Sequence, residues 1–383
     1  MIHNFRDLDI TFFVSEDWYF CSHRLPIARS IIKHGGKVTL ITRVGQCGKQ
    51  IQREGIRLIP LKRFRRRIQS PLLEFLSLLE IIRIYRQESP QLVHQVALKP
   101  IVYGTIAAWL VGIKSIVNAF AGMGFFFISE NSKRTVGERI LSLIFRLIFK
   151  MTNVRLILQN DNDLNMLLKN LVINRDRTVL IRGSGVDLQT FRSAPEPPGK
   201  PLVILPSRML WDKGVGEFVE AVKRLNNGRK IARFVLVGAP DPDNPRSITP
   251  ACIQKWVDKG LVEWWGNRKD MPHVYTLSHI VCLPSYREGL PKVLLEAAAC
   301  RRAIVTSNTV GCSDVVKNGV NGLLVPSRNA TALADAISYL LTHPEIRKRM
   351  GFKGREMVEN NFSQEKSVNE TISLYQSLSN QSA

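Results

Sequence analysis

Along this chain apolar residues come in short β-branched runs, and between the runs they recur at helical spacing. In the second half the runs are PLVILPS, RFVLVG, VEWWG, IVCLPS, AIVTS and GLLVPS. Helix-prone stretches such as VGEFVEAVKRL and LPKVLLEAAAC lie between them. The first half repeats the rhythm less cleanly, with DITFFVS, KVTLITR, IRLIPL, QLVHQ, SIVNAF and VRLILQN. Strands that alternate with helices predict βαβ units, so the expected fold class is α/β with doubly wound parallel sheets. The segment RSAPEPPGKP (192–201) separates the two rhythms, because its prolines can continue neither a helix nor a central strand. The expected organisation is a first domain over 1–191, a linker over 192–200 and a second domain over 201–383. The last helix is a candidate to cross back to the first domain. This pattern implies two Rossmann-like halves around a central cleft, with ligands expected beyond the carboxyl ends of the strands.

Composition narrows the partners. A chain of 383 residues favours two domains, and 45% hydrophobic residues suffice for packed cores. The formal charge is +22, and residues 1–190 hold 28 basic against 14 acidic residues, the remainder 26 against 18. The more basic first half points to a polyanionic partner: nucleic acid, an anionic membrane or a phosphorylated substrate. Six cysteines without a C-x-x-C pair argue against a disulfide framework or structural zinc, and fit a reducing compartment. MIHNFRDLDITFF places charges where an export signal needs an apolar core, so none is expected. No apolar run reaches the ~18 residues of a spanning helix, so any membrane contact is expected at the surface.

Two segments bear on such a contact. LKRFRRR (61–67) holds five basic residues in seven. A solvated face or an anionic lipid surface both explain it. GERILSLIFRLIFK (137–150) places Ile140, Leu143, Ile144 and Leu147 on one helical face, with Arg139, Arg146 and Lys150 on another. An interfacial helix and a core-packing helix account for that stripe equally well.

Candidate chemistry concentrates in the second half. In PSRMLWDKG, Arg208 and Lys213 follow a strand and precede a helix, which suits an anion; a solvated loop is the plain alternative. In EGLPKVLLEAAAC, Gly289 permits close backbone approach and Pro291 suits the first turn of a helix expected from Leu290. The N–H groups of that turn favour a phosphate. Glu296 sits among leucines and alanines and needs hydrogen-bond donors, either ribose hydroxyls or an internal arginine. Glu288, before the helix, is placed to reach a second hydroxylated group. In the first half His94 ends a strand, so it either faces a ligand in the cleft or is a core histidine. His23, Arg24 and Lys99 are candidate ligand contacts, with a helix-start ion pair and a surface lysine as alternatives. Asn118, Gly122 and Gly124 suit a loop that approaches a substrate, or a simple turn. No metal-binding motif, phosphate-binding G-x-x-x-x-G-K loop or Ser-His-Asp arrangement is present.

EGLPKVLLEAAAC, followed by VGCSDVVKNGVNGLLVPS, resembles the donor-binding domain of retaining glycosyltransferases of family 4, which have the two-domain GT-B architecture. SRMLWDKG resembles that family's diphosphate-binding loop. The resemblance covers nearly the whole chain. It implies that Arg208 and Lys213 neutralise a nucleotide diphosphate and that Glu296 binds ribose hydroxyls. Glu288 would contact the transferred sugar or support the leaving phosphate, and backbone at Gly289, Leu290 and Pro291 would meet sugar and phosphate oxygens. His94 joins Glu288, Lys213 and Arg208 as a candidate catalytic residue, and the acceptor contacts implied are His23, Arg24, Lys99, Asn118, Gly122 and Gly124. VSEDWYFCSHRLPIARS, VHQVALKPIVYG and VNAFAGMGFFF look like a bacterial subgroup that adds a hexosamine-type sugar to undecaprenyl-diphosphate-linked sugars. That implies a UDP-sugar donor, a polyprenyl-diphosphate acceptor, no required metal or other cofactor, and a role in surface polysaccharide such as O-antigen. The expected location is peripheral, on the cytoplasmic face of the cell membrane. Two departures stand out: Met123 between Gly122 and Gly124, where an aliphatic residue is expected, and no glycine-rich turn after the first strand. The rival readings are a lipopolysaccharide-core or soluble acceptor on the same fold, and a nucleotide-sugar-binding or nucleic-acid-binding protein without catalysis. No nucleic-acid-binding motif organises the basic residues.

Overall fold

The structure, a computed structural model, describes residues 8–68, 70–120, 143–148, 154–170, 174–226 and 231–379. The chain divides into two compact units, Met1–Ser184 with Ser367–Ala383, and Gly185–Lys366.

The first unit carries strands β1 (Asp9–Glu16), β2 (Lys37–Arg43), β3 (Arg57–Pro60), β4 (Leu92–Val96), β5 (Ser115–Ala119), β6 (Val154–Leu158) and β7 (Thr178–Leu180). They form one parallel sheet in the order β3-β2-β1-β4-β5-β6-β7. Ile10 stands opposite both Val38 and Leu92, so the strand order reverses between β1 and β4. The second unit carries β8 (Leu202–Pro206), β9 (Arg233–Val237), β10 (Glu263–Trp264), β11 (Ile280–Leu283), β12 (Ala303–Ser307) and β13 (Gly322–Val325). Their order is β10-β9-β8-β11-β12-β13, again parallel, with the reversal between β8 and β11. Both orders are those of a Rossmann-like sheet. Helices cover both faces of each sheet, so central strands such as Leu202–Pro206 are buried at every residue and read as unbroken apolar runs. β7 has three half-buried residues at the sheet edge and no such run, which is why sequence pattern misses it.

The boundary falls between Ser184 and Gly185, earlier than the expected linker. Residues 192–201 belong to the second unit, because arginines satisfy carbonyls that a proline-rich chain leaves without a ladder. Arg302, fully buried, donates to the carbonyls of Ala194 at 2.7 Å and Pro195 at 3.0 Å. Arg347 clasps the Glu196 carboxylate at 2.8 and 2.7 Å, and Arg355 donates to the Phe191 carbonyl at 2.9 Å. At the other end, the helix Gln364–Ser379 sends Val368, Ile372, Tyr375 and Leu378 into the first unit's core.

Of the segment 137–150, residues 143–148 are described and helical; Arg139, Ile140 and Lys150 lie outside the described residues. Phe145 and Ile148 are buried, whereas Leu143 and Leu147 are exposed. Ile144 is half-buried against the core, so the described part of the predicted stripe divides between core and surface. Among the described residues no helix is long and apolar enough to cross a membrane. All six cysteines are unbridged.

Candidate active site

The second unit's switch point sets the site. β8 ends at Pro206 and leads through Ser207 and Arg208 to a short turn, Trp211–Lys213, and then to the helix Val215–Asn226. β11 ends at Leu283 and leads through Glu288 to the helix Lys292–Ala299. Because β8 and β11 are neighbours with opposite onward directions, their carboxyl-end loops meet instead of diverging. Backbone bonds lace them together: Tyr286 N–H donates to the Asp212 carbonyl at 2.9 Å, and Ser285 Oγ donates to the same carbonyl at 3.1 Å. Gly214 has φ +72°, and a Cβ there would stand 2.2 Å from the Pro284 carbonyl oxygen, so only glycine allows this approach. A third loop, after β12, closes the group: Glu288 N–H donates to the Val310 carbonyl at 3.0 Å. Gly311, at φ +84°, would place a Cβ 2.5 Å from the Glu288 carbonyl oxygen.

That lacing brings Lys213 and Glu288 into contact, Nζ to Oε1 at 2.5 Å, with 19% and 13% of their side chains exposed. Arg208 pairs with Asp241 at 2.6 Å. The four groups sum to zero charge. Their capacity for an anion lies in spare donors: an ammonium has three N–H groups and a guanidinium five, and a single carboxylate does not exhaust them. Asp241 follows β9, the neighbour of β8, and strand order alone puts its loop beside Arg208. Tyr286 donates its hydroxyl to Glu217 at 2.6 Å and lies under Arg328, 4.5 Å from ring to guanidinium, which locks the β11 loop onto the helix Val215–Asn226.

Glu296 is 8% exposed, and among the described residues it pairs with a tyrosine and a lysine and with no arginine. Tyr275 donates its hydroxyl to Oε2 at 2.9 Å, and Lys292 lies 3.8 Å from Oε1, one turn earlier on the helix. Burial raises its carboxyl above the usual range, against the opposing pull of Lys292 and of the Tyr275 hydrogen bond. The same burial, together with the carboxylate, lifts the Tyr275 hydroxyl well above its ordinary value. Tyr275 sits on the helix Met271–Leu277, and nothing in the sequence pairs it with Glu296. The helix begins at Lys292, two residues later than expected, with Pro291 as its extended N-cap and Gly289 and Leu290 buried before it.

The first unit corrects several expectations. His94 is fully buried, packs on Phe12 at 5.2 Å between ring centroids and shares a short hydrogen bond with the Tyr375 hydroxyl. Its side chain points into the core because Phe12, its opposite number on β1, points there too. The expected sugar-facing imidazole is thus not observed, and burial next to the Arg24 charge lowers its pKa well below the ordinary histidine value. Asn118 is also fully buried, bonded to Thr105 at 3.1 Å within a network that continues to Gln95, and so does not present itself to a substrate. Lys99 is no loose surface lysine: it meets Glu74 at 2.8 Å and the carbonyls of Arg65 and Arg67 at 2.7 and 3.2 Å. His23 stacks on Tyr19 at 4.2 Å. Arg24 is 4% exposed and donates to the His23 carbonyl at 3.4 Å. Among the described residues it makes no helix-start ion pair, and its Nε finds no partner. Gly122 and Gly124 lie outside the described residues.

Comparison with known proteins agrees with both halves. The family model Glycosyl transferase 4-like matches residues 9–160, and Glycosyl transferases group 1 matches residues 187–357. An N,N'-diacetylbacillosaminyl-diphospho-undecaprenol alpha-1,3-N-acetylgalactosaminyltransferase of Campylobacter jejuni is 27% identical, over 85% of this chain and 87% of that protein. A UDP-Gal:alpha-D-GlcNAc-diphosphoundecaprenol alpha-1,3-galactosyltransferase of Escherichia coli is 26% identical over 78% of each. In fold, the chain is similar to a glycosyltransferase of Rickettsia africae (TM-score 0.78, 20% identity, 97% of this chain and 99% of that one). It is also similar to HepE of Anabaena in complex with UDP (TM-score 0.76, 15% identity, 97% and 100%). With two Rossmann-like parallel sheets and a family match in each unit, the chain belongs to the GT-B glycosyltransferases that join a glycosyl transferase 4-like unit to a group 1 unit.

Proposed function

We propose that this glycosyltransferase moves a hexose or N-acetylhexosamine, with retention of anomeric configuration, from a UDP-sugar to a polyprenyl-diphosphate-linked saccharide in bacterial glycan assembly. The observation that carries the reading is the Lys213–Glu288 pair at the β8/β11 switch point, with Arg208 on the same loop. A nucleotide diphosphate there takes the spare donors of Lys213 and Arg208, and Glu288 turns toward the sugar. Glu296, with Oε2 held by Tyr275, keeps Oε1 for ribose hydroxyls. As the bond from anomeric carbon to phosphate oxygen breaks, the electron pair stays on UDP, and the two cations stabilise that charge with no metal required. The acceptor oxygen bonds the anomeric carbon, and its proton passes to the departing phosphate on the same face. Backbone at Gly289, Leu290 and Pro291 meets sugar and phosphate oxygens. In the first unit His23 and Arg24, at the end of the helix Asp17–His23 that follows β1, are assigned to the acceptor; Arg24 has no counter-ion among the described residues. The acceptor class is supported by the Campylobacter and Escherichia relatives, both named for diphosphoundecaprenol-linked substrates. Such an acceptor places the enzyme peripherally on the inner face of the cell membrane.

The test is transfer from a panel of UDP-hexoses and UDP-N-acetylhexosamines to short polyprenyl-diphosphate sugars, with and without a chelator. Transfer from one donor that survives chelation, with the product anomer matching the donor, is the expected result. Absence of both turnover and UDP binding overturns the reading.

A further inference from the structure

Residues 61–67 are neither a loose tail nor an ordinary solvated loop. They leave β3 at the carboxyl edge of the first unit's sheet, and two side-chain anchors hold their backbone still. The Glu80 carboxylate accepts the N–H groups of Lys62, Arg63 and Phe64 at 2.8, 3.0 and 3.4 Å. Lys99 donates to the carbonyls of Arg65 and Arg67, and Phe64 is fully buried against Phe13 and Tyr103. With the backbone and Phe64 turned inward, Arg63, Arg65 and Arg67 are all exposed, and the Arg65 guanidinium also donates back to the Lys62 and Phe64 carbonyls at 3.0 and 3.2 Å.

The chain just beyond this loop is equally unlike a soluble surface. Ile68 is 82% exposed, and the helix Pro71–Glu88 opens with Leu72 at 67% and Phe75 at 57%. Leu72, Phe75 and Leu79 stand at helical spacing on an outer face that an ordinary surface helix makes polar. Exposed apolar side chains clustered in this way mark an interaction surface. Immediate flanking by arginines decides which one: an apolar wedge edged with cations matches a bilayer whose headgroups are anionic and whose interior is hydrocarbon.

We propose that residues 63–68, together with the opening turns of the helix Pro71–Glu88, are the membrane-docking surface of the first unit. Arg63, Arg65 and Arg67 lie on anionic headgroups, with Ile68, Leu72 and Phe75 inserted below them. The proposal deepens the reading of a lipid-linked acceptor and rests on it for its purpose, but not for its test. The rigid anchoring means that docking does not first have to order the loop, so little conformational entropy is lost on binding.

The experiment is flotation of the purified protein with vesicles of phosphatidylcholine alone or containing a substantial fraction of phosphatidylglycerol. Wild type is compared with Leu72→Ser/Phe75→Ser and with Arg65→Glu/Arg67→Glu, all at exposed positions outside the donor site. Wild type is expected to float with anionic vesicles and not with neutral ones. The arginine variant should lose at least about thirty-fold in partitioning, and the serine variant at least about a hundred-fold. Both variants should keep wild-type transfer to a short, water-soluble acceptor. Failure of wild type to bind anionic vesicles, or unchanged binding by the serine variant, overturns the inference. Vesicle binding without any glycosyl transfer would instead sink the functional reading and leave the docking surface standing.

Discussion

Replacing Lys213 by alanine separates a catalytic cation from a merely structural one. Its Nζ lies 2.5 Å from Glu288 Oε1, in a pair that retains 19% and 13% side-chain exposure. Attraction at this distance is offset by the cost of dehydrating both ions, so the net contribution of such a pair is about 1–3 kcal/mol. Lys213→Ala should therefore lower unfolding free energy by roughly that amount, since it leaves the Glu288 carboxylate half-enclosed and without its cation. The catalytic loss is a separate quantity. If Lys213 stabilises charge on the departing phosphate, its removal costs about 100- to 1000-fold in kcat, equivalent to about 2.7–4 kcal/mol. A double-mutant cycle with Glu288→Ala resolves the two, read by urea unfolding and by initial rates of transfer. The double variant should recover stability relative to Lys213→Ala, because no orphaned carboxylate remains, while transfer stays lost. Transfer by Lys213→Ala within about three-fold of wild type, alongside a measurable stability loss, would refute the assignment and make the pair a structural clamp.

Glu296→Gln should stabilise the unliganded protein at neutral pH and weaken UDP binding. The native carboxyl of Glu296 is raised, so the native state holds its proton where the unfolded chain has lost it. Wild-type stability therefore falls as pH rises from the ordinary carboxylate value to the raised one, and the glutamine variant lacks that fall; equal pH profiles would count against it. His94 runs the other way: lowered well below 6.5 and buried, it makes the protein lose stability as pH falls through the unfolded histidine range. His94→Phe should remove that acid limb in thermal melts, with catalysis at neutral pH little changed, and a large loss of kcat without destabilisation would restore the substrate-facing reading. Arg347→Met should cost about 3–5 kcal/mol in denaturant unfolding, because it leaves the buried Glu196 carboxylate unpaired; pairing it with Glu196→Leu should recover most of the loss.

The extended runs and helical stretches between them determined two α/β halves, because side-chain periodicity is a local property of the chain. The same applies to the loop identities around Arg208, Lys213 and Glu288, which stand at the ends of runs that are legible as strands. β7 was hidden because an edge strand half open to solvent carries no continuous apolar signature. The boundary was misplaced for a different reason. Proline and glycine mark where regular structure stops, but domain membership depends on distant arginines at 302, 347 and 355 that reach back to the segment. His94 and Asn118 show the same limit on the functional side. A polar residue near a strand end reads as substrate-facing, yet sheet pleat and the helix from residue 364 onward decide that His94 faces Tyr375. The partners of the candidate site are likewise non-local: Lys213 finds Glu288 75 positions away, and Glu296 finds Tyr275 through helix packing. Pattern along the chain chose the elements and the residues at their ends. Tertiary packing alone chose the pairs, since a contact across strands depends on strand order and on close approaches such as Gly214 against Pro284, and neither is encoded in neighbouring residues.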